Sequence, residues 1–355
     1  MDLGIIEGYF GPAWSWPDQH AAMQFLSGYG YRFFIYAPKA DCFLRRRWRE
    51  PFPTDTLRQL ASFAGACRDQ RVRFGIGLSP IEAYRDFDTA TRAALRSKLA
   101  VFDEIGIDDL AILFDDMRAD SADLAERQLE IIDFASAHTR ANRIIMCPTY
   151  YSDDPVLDRI FGARPADYLA TIGRQLDPAI KVFWTGEEVC AREQSVAHLR
   201  GIAQQLRRKP ILWDNYPVND GPRMSQYLHL RGFTGRPAAI ADCLCAHAIN
   251  PALQATLTRM PAMTLTQSYL LGTDYRYGEV FRTAAQTVLG TDLAAAVQAD
   301  LIDLQDTGLD RLAEAHKSLL RQRYTQFDHD AAREIVRWLD GVYLVNAELV
   351  QTQAR

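Results

Sequence analysis

The sequence lacks the marks of a nucleic-acid-binding or membrane protein. No block of Lys or Arg is longer than the three arginines at 45–47, and the formal net charge is −5, so the sequence lacks a strongly basic stretch for nucleic acid. No apolar run approaches the roughly 20 residues that a membrane-spanning helix needs. The first residues enter an apolar run at once and leave no room for a secretory signal. We therefore expect a cytoplasmic protein with neither a nucleic-acid nor a membrane partner.

Paired cysteines and a dinucleotide-binding motif are also missing. The six cysteines are scattered without a C-x-x-C pair, and several lie in apolar runs. We expect them to be small buried side chains rather than disulfides or metal ligands. No G-x-G-x-x-G follows the first apolar run, which argues against a dinucleotide-binding sheet.

Short apolar runs are what the sequence has in abundance. The chain has 355 residues, 48% of them hydrophobic, which is enough for a large core. Runs rich in β-branched and aromatic residues occur at 3–9, 32–38, 73–79, 110–116, 143–149, 180–186, 210–215 and 239–246. Stretches with helical period lie between many of them, and continuous hydrophobicity indicates parallel strands covered on both faces. Eight such units predict an α/β fold, a (β/α)8 TIM barrel, rather than a doubly wound sheet.

The pattern changes near residue 274. Beyond it the strand pattern stops, and four amphipathic stretches with Gly and Asp between them predict helices. We therefore predict a barrel domain over residues 1–273 and a helical C-terminal region over residues 274–355. This region is expected to pack on the barrel or on another subunit.

Polar and aromatic residues follow most of the predicted strands. A barrel carries its active site at the carboxyl ends of its strands, so these residues are candidates for one site. They are Gly8, Phe10, Lys39, Asp41, Asp115, Asp116, Tyr151, Trp184, Thr185, Trp213 to Asn215, Asp220 and Asn250. Each alone has a structural explanation, as a helix cap, a plug at the rim or a solvated charge. Together they suit a sugar, whose hydroxyls bind carboxylates and amides and whose apolar faces pack on aromatic rings.

The fourth run ends in two adjacent carboxylates, Asp115 and Asp116. Neighbours on a strand point to opposite sides, so both reach the mouth only if the strand is already turning into its loop. Such a pair can serve glycoside hydrolysis, and its proximity is expected to raise the pKa of one member, as a general acid requires. Two alternatives remain open: a Mg²⁺ or Mn²⁺ site, for which Asp120 is the other nearby carboxylate, and a cap for the helix that begins near Ser121.

Seven segments then resemble a known family. They are GIIEGYFGPAWSW at 4–16, IYAPKAD at 35–41 followed by RWREPFP at 47–53, LFDD at 113–116, CPTYY at 147–151, FWTGEEV at 183–189, WDNYPVND at 213–220 and INP at 249–251. In order, they resemble glycoside hydrolase family 84, the β-N-acetylglucosaminidases that include the O-GlcNAcases.

The resemblance implies a catalytic set. Members of the family are retaining enzymes that use the carbonyl oxygen of the substrate's own 2-acetamido group as the nucleophile and form an oxazoline intermediate. By position, Asp115 would hold the acetamido N–H, and Asp116 would act as general acid and then general base. Tyr151 would assist at the acetamido oxygen.

The resemblance also implies substrate-binding positions and partners. Trp213 and Asn215 would border the acetyl group, while Gly8, Lys39, Asp220 and Asn250 would contact sugar hydroxyls, with Asp220 at O4 and O6. No metal or organic cofactor is implied. The expected substrate is a GlcNAc-containing glycoprotein, glycan or small glycoside, and the C-terminal helices resemble a region that can form a homodimer.

Departures from the family pattern lie at Phe10, where a tyrosine is common, at Cys42–Leu44 and at Met117–Ala119. Because of these departures, the sequence does not identify the leaving group of the substrate. The alternatives are the same mechanism on a different 2-acetamido sugar or glycan fragment, and a non-catalytic sugar-binding barrel.

Overall fold

The computed structural model describes residues 1–118 and 121–354. Ala119 and Asp120 lie outside the described residues, and with them the third carboxylate of the metal hypothesis and the last residue of the departure at 117–119. None of the helices in the described part combines the length and apolarity needed to cross a membrane.

Within these residues, eight parallel strands close into a barrel. Each strand pairs with the next in chain order, and the last pairs with the first. The strands are β1 (Leu3–Ile6), β2 (Tyr31–Tyr36), β3 (Arg73–Leu78), β4 (Asp109–Leu113), β5 (Arg143–Cys147), β6 (Lys181–Trp184), β7 (Ile211–Asp214) and β8 (Ala246–Ile249). The predicted (β/α)8 barrel is confirmed.

Helices surround the strands and continue beyond them. Those up to residue 271 are α1 (Trp16–Ser27), α2 (Thr54–Asp69), α3 (Thr89–Ile105), α4 (Leu124–Ala137), α5 (Pro155–Phe161), α6 (Tyr168–Gln175), α7 (Val196–Leu206), α8 (Gly221–Met224) and α9 (Ala255–Leu271). Those that follow are α10 (Tyr277–Leu289), α11 (Thr291–Ala299), α12 (Glu314–Tyr324), α13 (Asp330–Leu339) and α14 (Ala347–Ala354). The predicted boundary between residues 273 and 274 falls between α9 and α10 and stays a prediction.

The strands are apolar because both of their faces are covered. All five residues of β4 are buried, as are five of the six residues of β3. Seven of the predicted runs coincide with β1 to β7 to within one residue at their starts. The eighth, at 239–246, is wrong, because Ala238–Cys243 forms a 3-10 helix and β8 begins only at Ala246.

The last helix reaches back to the end of the barrel where the strands finish. Gly11, in the loop after β1, donates its N–H to Gln353 Oε1 over 2.8 Å, and Gln353 Nε2 donates to Gly11 O over 3.2 Å. Arg45, in the loop after β2, donates from Nε to Gln353 O over 3.1 Å. Helix α14 therefore borders the barrel mouth.

Candidate active site

A cavity opens at the carboxyl end of the barrel strands. Counted out to its mouth, with open solvent included, it has a volume of about 560 Å³. Its lining residues are Gly8, Phe10, Lys39, Asp115, Asp116, Cys147, Tyr151, Thr185, Val189, Cys190, Trp213, Asn215, Val218, Asp220 and Asn250. All nine residues to which a catalytic or binding role was assigned from sequence are among them, and the roles themselves stay predictions.

The two acids leave β4 where the chain changes direction. The strand ends at Leu113, and Phe114 still donates its N–H to Cys147 O over 2.9 Å. Asp116 then has φ +60°, in the left-handed region that non-glycine residues seldom adopt. This turn breaks the strand alternation, and both carboxylates line the same cavity.

Lys39 forms ion pairs with both carboxylates. Its buried ammonium hydrogen-bonds to Asp115 Oδ2 and lies 3.1 Å from Asp116 Oδ2. The positive charge offsets the repulsion between the acids. The other oxygen of Asp115, Oδ1, is buried without a hydrogen-bond partner. A buried carboxylate oxygen in that state is an acceptor ready for a ligand N–H or O–H group.

The pKa of Asp116 shifts in the direction opposite to the one expected. Burial raises it, but the charges of Lys39 and Arg45, together with hydrogen bonds from Lys39 and Tyr151, outweigh burial and hold the pKa below its usual value. The prediction was that one member of the pair has a raised pKa, and Asp116 is not that member in this structure. Asp116 is a carboxylate here.

The structure also bears on the two alternative roles of the pair. Helix α4 begins at Leu124 with Asp123 at its N-cap, so the hypothesis that Asp115 or Asp116 caps it is wrong. The cation between the two carboxylates is the ammonium of Lys39. Within residues 1–118 and 121–354, no group of three or more His, Cys, Asp or Glu side chains is placed to hold a metal ion.

A chain of hydrogen bonds fixes the wall opposite the acids. Asn215 Oδ1 accepts from Trp213 Nε1 and from Asn250 Nδ2, both over 3.0 Å, and Asn250 Oδ1 accepts from Gly8 N over 3.1 Å. Asn215 Nδ2 donates to Val189 O over 2.8 Å. A side chain at position 8 is excluded, because its Cβ would lie 2.0 Å from Trp213 Cζ2. The ring and both amides are thus held in fixed positions.

Asp220 and Tyr151 contribute a third carboxyl group and a hydroxyl to the site. Asp220 Oδ2 accepts from Phe10 N over 2.8 Å. Burial raises the pKa of Asp220 to about 6, with a further contribution from the charge of Asp116 and opposition from Phe10 N–H and Lys39. Burial, and then the charges of Asp116 and Asp115, raise the pKa of Tyr151 well above its usual value. Tyr151 therefore stays protonated and can donate a hydrogen bond.

Several residues that line the cavity have no site role predicted from the sequence. Cys147 is buried at the end of β5, as expected of a small apolar side chain, whereas Cys190 is exposed near the mouth, contrary to that expectation. Val189 and Val218 lie in loops after β6 and β7 and carry no chemical signal in the sequence. What they contribute are backbone groups: Val189 O accepts from Asn215 Nδ2, and Val218 N donates to Asn250 O. Only the folded structure shows these contacts.

Comparisons with known proteins identify the family of this chain. A family model described as beta-N-acetylglucosaminidase matches residues 3–302. The chain is similar to the Protein O-GlcNAcase of Mus musculus and that of Rattus norvegicus, at 26% identity over 257 residues in each. The match covers 70% of this chain and 28% of each relative, so the chain spans just over a quarter of the length of these relatives.

A solved structure is similar over almost the whole chain. It is a mutant of the O-GlcNAc hydrolase of Thermobaculum terrenum, with a TM-score of 0.76 and 26% sequence identity. The match covers 99% of this chain and 76% of that one.

Proposed function

Because this chain belongs to the β-N-acetylglucosaminidase family, glycoside hydrolase family 84, we propose that it is a retaining exo-β-N-acetylglucosaminidase of the O-GlcNAcase type. As a glycoside hydrolase it would release terminal β-linked GlcNAc by substrate-assisted catalysis through an oxazoline. The observation that carries the proposal is the buried, unpartnered Oδ1 of Asp115 beside Asp116 in the barrel cavity. The names of the relatives support the same substrate class.

Asp115 would bind and orient the nucleophile. Its free Oδ1 would accept the acetamido N–H, which increases the electron density on the carbonyl oxygen as that oxygen approaches the anomeric carbon. The new C1–O bond forms as the bond to the leaving oxygen breaks, and the positive charge that develops on the oxazoline lies next to a carboxylate. Lys39 holds Oδ2, so Asp115 has one orientation.

Asp116 would handle the proton. It gives a proton to the leaving oxygen in the first step, and it takes one from the water that opens the oxazoline in the second. Since its pKa is lowered chiefly by Lys39 and Arg45 against the effect of burial, the bound sugar has to raise it. We expect the sugar hydroxyls to take hydrogen bonds from Lys39 and so weaken its hold on Asp116.

The remaining residues would place the ring. Tyr151 is a protonated donor near Asp116 and is suited to the acetamido oxygen. Trp213 and Asn215 would border the acetyl group, and Gly8 and Asn250 lie beside them. Asp220, held by Phe10 N–H, would accept hydrogen bonds from O4 and O6 when ionised.

Several broader predictions belong to the same proposal. Residues 1–273 would be the catalytic domain and residues 274–355 a helical region that forms a homodimer; Ile302 and Leu319 in that region are exposed apolar side chains. The protein would act in the cytoplasm.

Sedimentation velocity of the wild type and of Leu319→Glu tests the dimer. A wild-type monomer at micromolar concentration contradicts it.

Hydrolysis of simple glycosides tests the function. We expect turnover of 4-nitrophenyl β-N-acetylglucosaminide and inhibition by a thiazoline that resembles the oxazoline. The matched 4-nitrophenyl β-glucoside, which has no acetamido group, should not be cleaved. Replacement of the acetyl by a trifluoroacetyl group should slow the reaction, because fluorine withdraws electrons from the nucleophilic oxygen.

Two outcomes would contradict the proposal. Equal rates for the acetyl and trifluoroacetyl substrates would mean that the acetamido oxygen is not the nucleophile. Absence of turnover by a folded protein that binds the thiazoline would favour a sugar-binding barrel.

A further inference from the structure

A second cavity adjoins the sugar cavity. We name it the basic cleft and define it by Arg46, Trp48, Arg49, Tyr84, Arg118 and Asp116 among its lining residues. Counted out to its mouth it has about 1440 Å³, against about 560 Å³ for the sugar cavity. Of the described residues, Asp116 alone lines both.

If the proposed function holds, the proposed acid Asp116 lies where the basic cleft meets the sugar cavity, next to the bond that breaks. The group that protonates the leaving oxygen must lie within hydrogen-bond reach of it. The aglycone begins at that oxygen and must extend away from the sugar cavity. A third cavity meets the sugar cavity at Cys190 and Asn215, but neither side chain is the proposed acid. The aglycone therefore leads from Asp116 into the basic cleft.

The charge of the basic cleft differs from that of the protein. Four arginines and two carboxylates are among the described lining residues, while the whole chain has a net charge of −5. Arg85 forms an ion pair with Glu82 over 3.2 Å. Arg46 and Arg118 are exposed, and no ion pair between described residues involves either of them. Two guanidinium groups are thus available to a ligand.

The walls of the basic cleft are held in place. Trp48 is buried, donates from Nε1 to Ile81 O over 3.2 Å, and lies beneath Arg49, whose guanidinium carbon is 4.7 Å from the ring centroid. The Tyr84 hydroxyl donates to Arg118 O over 2.7 Å, which fixes the backbone of Arg118 next to the catalytic pair. The cleft is a formed site and not only a set of surface arginines.

We propose that the basic cleft binds a negatively charged aglycone and that Arg46 and Arg118 recognise its phosphate or carboxylate group. A guanidinium fork matches the two oxygens of either group. The basic run at 45–47 then has three different roles. Arg45 is buried beside the acids, Arg46 binds the leaving group, and Arg47 pairs with Glu50 on the surface.

Matched substrates test the proposal. They are aryl β-N-acetylglucosaminides with a carboxylate, a phosphonate or a neutral carboxamide at the 4-position of the ring. The ratio of kcat/KM for the charged substrate to that for the neutral one is measured in the wild type, Arg46→Gln and Arg118→Gln. Comparison between proteins cancels the intrinsic reactivity of each leaving group. We expect each variant to lower the ratio roughly two- to fivefold, the size of one partly exposed ion pair.

Arg47→Gln is the control, because it removes the neighbouring charge of the same run outside the basic cleft. It should leave the ratio at the wild-type value, and 1 M salt should lower the wild-type ratio because it screens the pairs. The carboxylate and phosphonate arms show which anion is preferred. A ratio that is the same in the wild type, Arg46→Gln and Arg118→Gln overturns the proposal.

Binding separates this proposal from the proposed function. Calorimetry with the corresponding non-hydrolysable 1-thioglycosides measures the preference without turnover. No hydrolysis combined with tighter binding of the charged thioglycoside, lost in Arg46→Gln, would reject the hydrolase and support the anionic ligand. Hydrolysis combined with equal binding of charged and neutral thioglycosides would reject the anionic ligand and leave the hydrolase intact.

Discussion

Two buried ion clusters lie near the mouth of the barrel, and they differ in how completely their polar atoms are bonded. In the first, Asp214 at the end of β7 accepts two hydrogen bonds from Arg236, at 2.8 and 2.7 Å, and contacts His247 Nε2 at 3.1 Å. The remaining N–H groups of Arg236 donate to the carbonyl oxygens of Ala191, Arg192 and Thr234. No atom in this cluster is left for a ligand. It is complete.

The second cluster, formed by Lys39, Asp115 and Asp116, is incomplete. It has two acids for one ammonium, one buried oxygen without a partner, and a face on the cavity. Burial of charge therefore does not by itself mark a functional site. An acid whose hydrogen bonds are all made stabilises the fold, whereas an acid with a buried oxygen left over is suited to bind something.

Substitution of Asp116 is expected to have the largest effect and to define what the incomplete cluster does. Asp116→Asn removes the proton donor, so kcat/KM should fall by about 10²–10⁴ on a serine-linked glycopeptide. The loss on 4-nitrophenyl β-N-acetylglucosaminide should be much smaller, because nitrophenolate leaves without protonation. Steady-state kinetics on both substrates measure the difference. Equal losses on the two would contradict the role of Asp116 as the acid.

Asp115→Asn should lower kcat/KM on every substrate by about 10²–10³, since the charge next to the oxazoline is lost. The free energy of unfolding, measured in urea, should change little, because Asp115 is not part of a complete cluster. A variant that keeps activity on either class of leaving group would show that the negative charge of Asp115 has no catalytic use.

Substitution in the complete cluster should mainly lower the stability of the fold, whereas substitution of Asp115 should mainly lower activity. Arg236→Met leaves Asp214 buried without its partner and should lower the free energy of unfolding by about 3–5 kcal/mol. The matched control is Arg231→Met, whose ion pair with Asp306 is partly exposed and should cost under about 1 kcal/mol. Urea unfolding monitored by fluorescence measures both. A similar small loss in the two variants would remove the distinction between the clusters.

The effect of pH is expected to be the smallest, and it contrasts Asp220, which lines the sugar cavity, with Asp214 of the complete cluster. Burial raises the pKa of Asp220 to about 6, whereas Arg236 and His247 outweigh burial and lower the pKa of Asp214 to about 2. Ionised Asp220 accepts the sugar hydroxyls, so kcat/KM should rise with pH through about 6. The folded state holds the Asp220 proton more tightly than the unfolded chain. Its contribution to stability is therefore present below about pH 4 and is lost as pH rises through 6.

The measurement is a pH profile of kcat/KM on the nitrophenyl substrate, in the wild type and in Asp220→Asn. The variant should bind more weakly and lack the inflection near pH 6. An inflection that persists in the variant would assign it to another group.

The strands were largely predictable, and the exception has a physical cause. Runs that are buried on both faces are continuously apolar, so β1 to β7 stand out in the sequence. In β8, the four residues AHAI include His247, which is fully buried because Asp214 and the Tyr269 hydroxyl bond its ring nitrogens. The sequence does not show those partners, so the strand was placed too early along the chain.

The site was predictable in membership but not in geometry. The candidate residues could be chosen because they follow the predicted strands, and the carboxyl ends of all barrel strands lie at one mouth. The lowered pKa of Asp116 depends on Lys39 and Arg45, which come from the loop after another strand. The approach of Gln353 to Gly11 joins positions more than three hundred residues apart. Contacts of that kind have no local signal.

The left-handed backbone at Asp116 restricts which inactive forms would serve as substrate traps. Asn adopts that conformation readily, whereas Ala pays roughly 1–2 kcal/mol for it and would draw the loop back toward the strand. The asparagine form should therefore hold an uncleaved glycoside in its normal pose, and it is the better bait for isolating the natural glycoconjugate from a cell extract.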